Sequence, residues 1–136
     1  MAQVTSQTEG DCPFCRIPTG GALLSNEAAL AIPDAFPVCG GHTLVVPRAH
    51  VASVFDLPPA VQAQLWRLVA DVRALLIEQF NARAFNVGVN DGLAAGQTVP
   101  HAHIHVIPRF AGDVADPRGG IRWVLPERAA YWAGSR

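Results

Sequence analysis

The sequence of 136 residues predicts an α+β fold with an antiparallel sheet. Short β-prone runs lie on both sides of one long stretch with helical periodicity, and the connections between them are short. Half of the residues are apolar, which is enough for one core, so we expect residues 11–136 to form a single domain. Residues 1–10 carry little apolar surface to offset the entropy of ordering, so we expect a flexible tail there.

The first two strands are predicted at 28–33 and 42–47, where the chain is apolar and β-prone. The segment 34–41 between them contains proline and glycine, which favours a hairpin-like connection. Two further strands are predicted at 85–90 and 101–107, after the helical stretch.

The helical stretch separates the two pairs of strands. Asp56 is expected to be its N-cap, and the helix should run to about Phe80, before Asn81. Its apolar residues form one stripe at helical spacing, which indicates core packing: Val61, Leu65, Leu68, Val69, Val72, Leu75, Leu76 and Phe80.

Three histidines alternate in the last predicted strand, at His101, His103 and His105. Alternate residues of a strand point to one face, so the three imidazoles are expected to project together. Near neutral pH an imidazole acts as a nucleophile, a general acid or base, or a metal ligand. A metal site is therefore a rival interpretation, but no carboxylate lies between Gln97 and Arg109, which favours imidazole catalysis for at least part of the row.

Composition excludes several function classes. The net charge of −1 argues against an electrostatic grip on nucleic acid, which needs a basic surface. All ten basic residues are arginine, so Schiff-base chemistry on lysine is excluded. No run approaches the roughly 20 apolar residues that cross a bilayer, so we expect a soluble, cytoplasmic protein without a membrane partner.

The cysteines indicate a metal site rather than a disulfide framework. Cys12 and Cys15 form a C-x-x-C pair, and Cys39 is a distant third. A redox role is the weaker interpretation, because the chain lacks the strand and helix alternation of thioredoxin-like folds. Half of a zinc site is the preferred one, and Cys39 is expected to be a small packing residue.

The segment 97–107, QTVPHAHIHVI, resembles the signature of the histidine-triad (HIT) family of nucleotide hydrolases and transferases. Upstream, GHTLVVPRAH at 41–50 resembles a second signature of that family, and the likeness runs from about Asp11 to Arg109. The resemblance implies a HIT-like antiparallel β-meander sheet packed on one long helix. It also implies a homodimer in which two protomers join into a larger sheet.

The resemblance implies that His103 attacks the α-phosphorus of a nucleotide and forms a nucleotidyl-histidine intermediate. Its second ring nitrogen would then donate to the carbonyl of His101, while His42 and His105 flank the phosphate. Gln97 and Thr98 match positions near the bridging oxygen and the leaving group. The remaining positions implied to bind substrate are Asn90 and Gly96 near the phosphate, Asp34 on the ribose, and Ile32 in the wall of the base pocket. For Asp34, a turn aspartate is the alternative interpretation.

Zinc-bearing relatives imply a complete ligand set of Cys12, Cys15, His50 and His101. For His101 a position beside the phosphate is the alternative, and the ligand role is favoured because both cysteines are present. Such a zinc would be structural, and no organic cofactor is expected.

The predicted function is the hydrolysis of a dinucleoside polyphosphate, a small-molecule nucleotide substrate. Thr98 and the pair Pro108-Arg109 favour that branch of the family, and Arg109 or Arg118 is a candidate for holding the leaving polyphosphate. An ordinary surface turn is the alternative for Arg118. Three other functions stay open: a nucleoside phosphoramidate hydrolase, a nucleotidyltransferase or phosphorylase, and a non-catalytic nucleotide-binding adaptor.

Overall fold

The computed structural model describes residues 10–18 and 20–134. These residues form a five-stranded antiparallel sheet and one long helix, which confirms the predicted α+β class. The strands and helices are β1 (Leu24–Ser25), β2 (Ala29–Pro33), β3 (Thr43–Pro47), α1 (Pro59–Phe80), β4 (Ala84–Gly88), β5 (Ile104–Arg109) and α2 (Pro126–Ala129). The flexible tail expected at 1–10 lies, apart from Gly10, outside the described residues.

The sheet has the order β1-β2-β3-β5-β4, and all neighbours are antiparallel. The strands are therefore not in sequential order throughout, because β5 lies between β3 and β4. Strand β4 forms one edge of the sheet. Thr43 pairs with Val106, and Leu44 pairs with His105. This pairing brings the end of the loop before β3, where His42 lies, next to the histidines at the start of β5.

Helix α1 covers one face of the sheet. The buried residues of that helix are Leu65, Leu68, Val69, Val72 and Leu76. They pack with Ala31, Val45, Ile104 and Val106 of the sheet in one core cluster. Burying a side chain such as Leu or Val contributes about 1.5–3 kcal/mol, so this layer holds the sheet in place. On the opposite face a smaller cluster, Ile32, Leu44 and Val46, packs with Phe14 and Ile17.

The end of α1 was predicted correctly, but its start was not. Asn81 ends the helix in a left-handed conformation, with φ of 53°. Asp56 is not the N-cap of α1, because it lies in a separate 3₁₀ turn, Val54–Asp56, which Ser53 caps. Helix α1 begins at Pro59, since proline has no N–H that a cap must satisfy.

The predicted strand at 101–107 begins later, at Ile104, so His101 and His103 lie in the segment that leads into it. The N–H of Ala102 donates to the carbonyl of Val51, outside the sheet, at 2.7 Å. The three imidazoles consequently do not leave one strand together. The two-residue strand β1 was not predicted. Within 10–18 and 20–134, no helix is both long and apolar enough to cross a membrane.

Candidate functional site

His103 is held by the backbone immediately before β5. Its side chain is buried, and its Nδ1 lies 2.9 Å from the carbonyl oxygen of His101. A carbonyl oxygen only accepts hydrogen bonds, so Nδ1 carries the proton and donates. In the neutral ring the lone pair is then on Nε2, which is the form that a nucleophilic imidazole requires.

His42 and His105 are held in the opposite tautomer. The N–H of Val38 donates to Nδ1 of His42 at 3.1 Å, which places the proton of the neutral ring on Nε2. That Nε2 lies 2.9 Å from Nδ1 of His105 and donates to it. His105 therefore carries its own proton on Nε2, so its ring can donate a hydrogen bond to a ligand.

Burial keeps this histidine pair neutral. Desolvation lowers the pKa of His42, although the nearby carboxylate of Asp34 opposes the shift. The pKa of His105 is also lowered, by burial and by the neighbouring rings of His103 and His42. Both rings are therefore uncharged near pH 7 and serve as hydrogen-bond donors rather than as cations.

Asp34 contacts both a turn and the histidine pair. Its Oδ1 accepts the N–H of Phe36 at 2.8 Å, which fits the interpretation as a turn aspartate. Its Oδ2 lies 3.3 Å from Nε2 of His42 and 4.0 Å from Nδ1 of His105. One carboxylate therefore stabilises the loop and faces the site, and its predicted contact with ribose stays a prediction.

A cavity of about 440 Å³, here called the histidine cavity, opens beside His103 and His105. The predicted substrate residues that line it are Ile32, Asp34, Asn90, Gly96 and Thr98. Gly96 has a φ of +93°, and no atom lies within 4 Å of the position of an added Cβ, so its backbone is open to a ligand.

Phe14 is a lining residue that the sequence prediction did not include. Its ring centroid lies 5.2 Å from that of His103 and 5.6 Å from that of His101. The available signal in the sequence was the position of this aromatic residue between two cysteines. A segment that binds a metal must pack against the rest of the domain, and an aromatic side chain can make that contact. Phe14 links the two groups of histidines.

Gln97 does not line the histidine cavity. Its Oε1 accepts the N–H of Gly92 at 2.9 Å, and its Nε2 donates to the carbonyls of Ala52 and Val99 at 2.8 and 3.0 Å. The buried side chain thus organises the loop that carries Gly96 and Thr98. A direct contact between this amide and substrate stays a prediction.

The two candidate arginines are engaged in ion pairs. Arg109 donates twice to Asp113, at 2.8 and 2.9 Å, and once to Asn86 at 2.6 Å. Arg118 is exposed, pairs with Asp116 and lies over the ring of Trp132. Neither arginine lines the histidine cavity.

A second group of residues forms a candidate metal centre. Nδ1 of His101 lies 3.4 Å from Sγ of Cys12 and 3.6 Å from Sγ of Cys15, and Sγ of Cys15 lies 3.2 Å from Nδ1 of His50. All four potential ligand atoms lie within 4.8 Å of one another. Ligands around tetrahedral zinc are separated by about 3.5 Å, so this donor set fits that ion.

The surroundings of His101 support the same fit. Nε2 donates to the carbonyl of Pro47 at 2.8 Å, which leaves the lone pair on the Nδ1 that faces the sulfurs. Burial lowers the pKa of His101, so the ring is neutral, as a metal ligand must be. Cys39 is separate: its Sγ contacts the carbonyl of Pro108, and burial raises its pKa.

Comparison with known proteins identifies relatives that match most of this chain. A family model described as the HIT domain matches residues 19–112. An adenylylsulfatase of Arabidopsis thaliana is 35% identical over 113 residues, which cover 80% of this chain and 57% of the relative. An asymmetrical bis(5′-nucleosyl)-tetraphosphatase of Schizosaccharomyces pombe is 36% identical over 104 residues, which cover 76% and 57%. The chain thus spans little more than half the length of these two relatives.

Among solved structures, a zinc-bound histidine triad family protein of Mycobacterium smegmatis has a TM-score of 0.71 and 31% identity. The superposition covers 95% of this chain and 100% of the other.

Proposed function

The chain belongs to the HIT family, and we propose that it hydrolyses dinucleoside polyphosphates at the α-phosphorus through a nucleotidyl-His103 intermediate. The observation that carries this proposal is the pair of opposite tautomers. The nucleophilic lone pair on Nε2 of His103 and the N–H on Nε2 of His105 belong to rings whose centroids are 5.1 Å apart. The name of the Schizosaccharomyces pombe relative supports the same class of substrate.

The first step forms a bond between Nε2 of His103 and the α-phosphorus. The bond from that phosphorus to the bridging oxygen breaks, and the leaving nucleoside polyphosphate departs with the electron pair as an anion. His105 donates its Nε2–H to a non-bridging oxygen as charge redistributes, and His42 fixes the His105 ring by donating to its Nδ1.

In the second step, water attacks the same phosphorus, the bond from phosphorus to Nε2 of His103 breaks, and the proton that the water loses passes to solvent. The products are a mononucleotide and a nucleoside polyphosphate, so one water is consumed per turnover. Asp34 would accept hydrogen bonds from the ribose hydroxyls, and the backbone near Gly96 would approach the phosphate.

The site at Cys12, Cys15, His50 and His101 is proposed to hold a structural zinc ion. These four residues do not line the histidine cavity, whereas Phe14, between the two cysteines, does. The ion, when bound, would cross-link the N-terminal segment to the end of β3 and the approach to β5. Its contribution would therefore be to the shape of the cavity wall.

A homodimer is proposed as the working form. Trp66 is 48% exposed and Phe80 is 43% exposed, both on α1. Strand β4 forms an edge of the sheet, so among the described residues one side of its backbone has no strand partner. Light scattering coupled to size exclusion would measure the mass directly, and a monomer at micromolar concentration would contradict this part of the proposal.

A nucleoside phosphoramidate or sulfate hydrolase is the second candidate. The ion pairs of Arg109 and Arg118 favour it, because both guanidinium groups that were expected to hold a leaving polyphosphate are already bound to carboxylates. The Arabidopsis thaliana relative, named as an adenylylsulfatase, supports a smaller leaving group.

A substrate comparison in ¹⁸O-labelled water tests the proposal. We expect diadenosine polyphosphates to be cleaved with a higher kcat/KM than adenosine phosphoramidate or adenylyl sulfate, and the label to appear only in the mononucleotide. Intact mass measurement after rapid quenching should show one added nucleotidyl group in wild type and none in His103→Ala. A preference for the smaller leaving groups would replace the first candidate by the second.

A further inference from the structure

A second cavity lies beside the histidine cavity, and the mechanism above places no part of the substrate in it. It has a volume of about 420 Å³, and its walls come from β4, β5 and the 3₁₀ helix Gly120–Val124. We call it the C-terminal cavity. His105 and Asn90 line both cavities, so the two are neighbours across these side chains.

The lining of the C-terminal cavity combines apolar walls with uncharged polar groups. The apolar walls include Val38, Ile107, Ile121 and Val124. The polar groups are the amides of Asn86 and Asn90 and the imidazoles of His42 and His105. No lysine or arginine lines it. Apolar walls with a few polar groups suit a heteroaromatic ring rather than a phosphate chain, and the volume is within the usual range for small-molecule sites.

The Asn86 amide has a fixed orientation. Its Oδ1 accepts from Nη1 of Arg109 at 2.6 Å, and Arg109 is itself held by Asp113. The Nδ2 group lies 3.2 Å from the position that a Cβ on Gly120 would occupy, so it is directed toward the 3₁₀ helix that forms the cavity wall. An N–H donor thus lies at the rim with its partner oxygen already satisfied.

The geometry of the displacement at phosphorus indicates which part of the substrate would enter the C-terminal cavity. The nucleophile and the leaving oxygen lie roughly in line on opposite sides of phosphorus. His103 lines the histidine cavity only, whereas His105 lines both. A leaving group that departs away from His103 and past His105 therefore moves toward the C-terminal cavity.

We propose that the C-terminal cavity binds the nucleoside of the leaving nucleotide, with its base against Ile121 and Val124. This inference rests on the proposed function, because it assigns a second nucleoside to the substrate. Arg109 and Arg118 are paired with carboxylates, so they are not available to hold a leaving polyphosphate. In this proposal the leaving group is recognised through its base rather than through its phosphates.

The test compares two substrates that share the scissile bond and the phosphate chain. Diadenosine tetraphosphate has a second nucleoside, and adenosine 5′-tetraphosphate lacks it. In Ile121→Ser we expect kcat/KM for diadenosine tetraphosphate, divided by that for adenosine 5′-tetraphosphate, to fall about tenfold. The shorter, polar side chain removes apolar contact with the second nucleoside, which only diadenosine tetraphosphate has. The matched control is Leu125→Ser, since Leu125 is similarly exposed on the same segment but does not line the cavity.

Equilibrium binding to His103→Ala separates this inference from the proposed function. We expect diadenosine tetraphosphate to bind more tightly than adenosine 5′-tetraphosphate, and Ile121→Ser to abolish that difference. Wild type could hydrolyse neither compound and the binding difference could still be present and depend on Ile121. In that case the proposed hydrolysis fails, and nucleoside binding in the C-terminal cavity stands. Equal affinities, an equal loss for both substrates, or a change of oligomeric state in Ile121→Ser would overturn the second site.

Discussion

His101 and His103 are two residues apart, yet they belong to groups with different chemistry. His101 faces the sulfur of Cys12, and His103 faces a cavity that is also lined by Asp34. The difference is set by the backbone: a carbonyl oxygen accepts a hydrogen bond from the Nε2–H of His101, and another accepts one from the Nδ1–H of His103. Which ring nitrogen a carbonyl occupies therefore decides whether a histidine presents Nδ1 to a metal or Nε2 to a substrate.

The two groups are separate in chemistry but connected in structure. The carbonyl of His101 holds His103, and the ring of Phe14 contacts both imidazoles. The strongest way to separate their roles is to remove one side chain from each group and measure both turnover and metal content.

Replacing His103 by alanine is expected to have the largest effect. Turnover should fall by more than about a hundredfold, because the proposed role of this side chain is to form a bond to phosphorus rather than a single hydrogen bond. Nucleotide binding and metal content should be nearly unchanged, as measured by calorimetry and elemental analysis. Residual turnover above a hundredth of wild type would exclude covalent catalysis by this residue.

The double change Cys12→Ser/Cys15→Ser is expected to remove the metal. Elemental analysis should give one zinc per chain in wild type and none in the variant, and the free energy of unfolding should fall by an amount on the order of several kcal/mol. Cys39→Ser is the control, because Cys39 lies outside the metal centre, and it should retain the zinc. An unchanged zinc content in the double variant would refute the ligand assignment.

The change Asp34→Asn tests the role of this carboxylate as more than a turn residue. Asparagine keeps an oxygen for the N–H of Phe36, so the loop should persist. The KM for a ribonucleotide substrate should rise about tenfold and that for its 2′,3′-dideoxy analogue should not, since the proposed acceptor for the ribose hydroxyls loses its charge. Equal changes in KM for both substrates would leave only the structural role.

The smallest expected effect is a change in the pH dependence of stability in His42→Gln. Burial lowers the pKa of His42 and His105 in the folded state below the ordinary value of 6.5. The unfolded chain therefore binds more protons as the pH falls through 6.5, and wild type loses stability there. Removing one of the two groups should reduce that slope by up to about 1.4 kcal/mol per pH unit.

Urea unfolding at pH 5, 6 and 7 in excess zinc would measure this slope. The residues of the candidate metal centre are the same in both proteins, so any contribution of bound zinc cancels in the comparison. Identical slopes for wild type and His42→Gln would show that His42 is not held neutral by the fold.

The sequence was sufficient where the structure depends on local signals. The end of α1 at Asn81 follows from residues close in sequence. The family motifs named His42, His103 and His105, whose rings lie together in the structure, and their catalytic roles stay predictions. The resemblance places His42 and His105 on either side of the phosphate. Their direct hydrogen bond depends on the pairing of β3 with β5, and the two residues are 63 positions apart along the chain. The inward orientation of Gln97 depends likewise on the distant carbonyl of Ala52.

Arg109 shows a different limit. The sequence gives its charge, and opposite charges four residues apart are common, but only the turn after β5 brings Asp113 into bidentate contact. A basic residue beside a motif therefore does not by itself indicate a phosphate ligand, because the chain can neutralise it internally.

The opposite tautomers of His103 and His42 provide a spectroscopic label for the site. In a ¹⁵N-resolved NMR spectrum of the neutral rings, the protonated nitrogen is Nδ1 in His103 and Nε2 in His42. Among the histidines assigned a tautomer by a backbone partner, His103 is distinct from His42 and His101. Its ring signals can therefore be recognised without assigning the whole chain, and nucleotidyl transfer to Nε2 would appear as the loss of one unprotonated ring nitrogen.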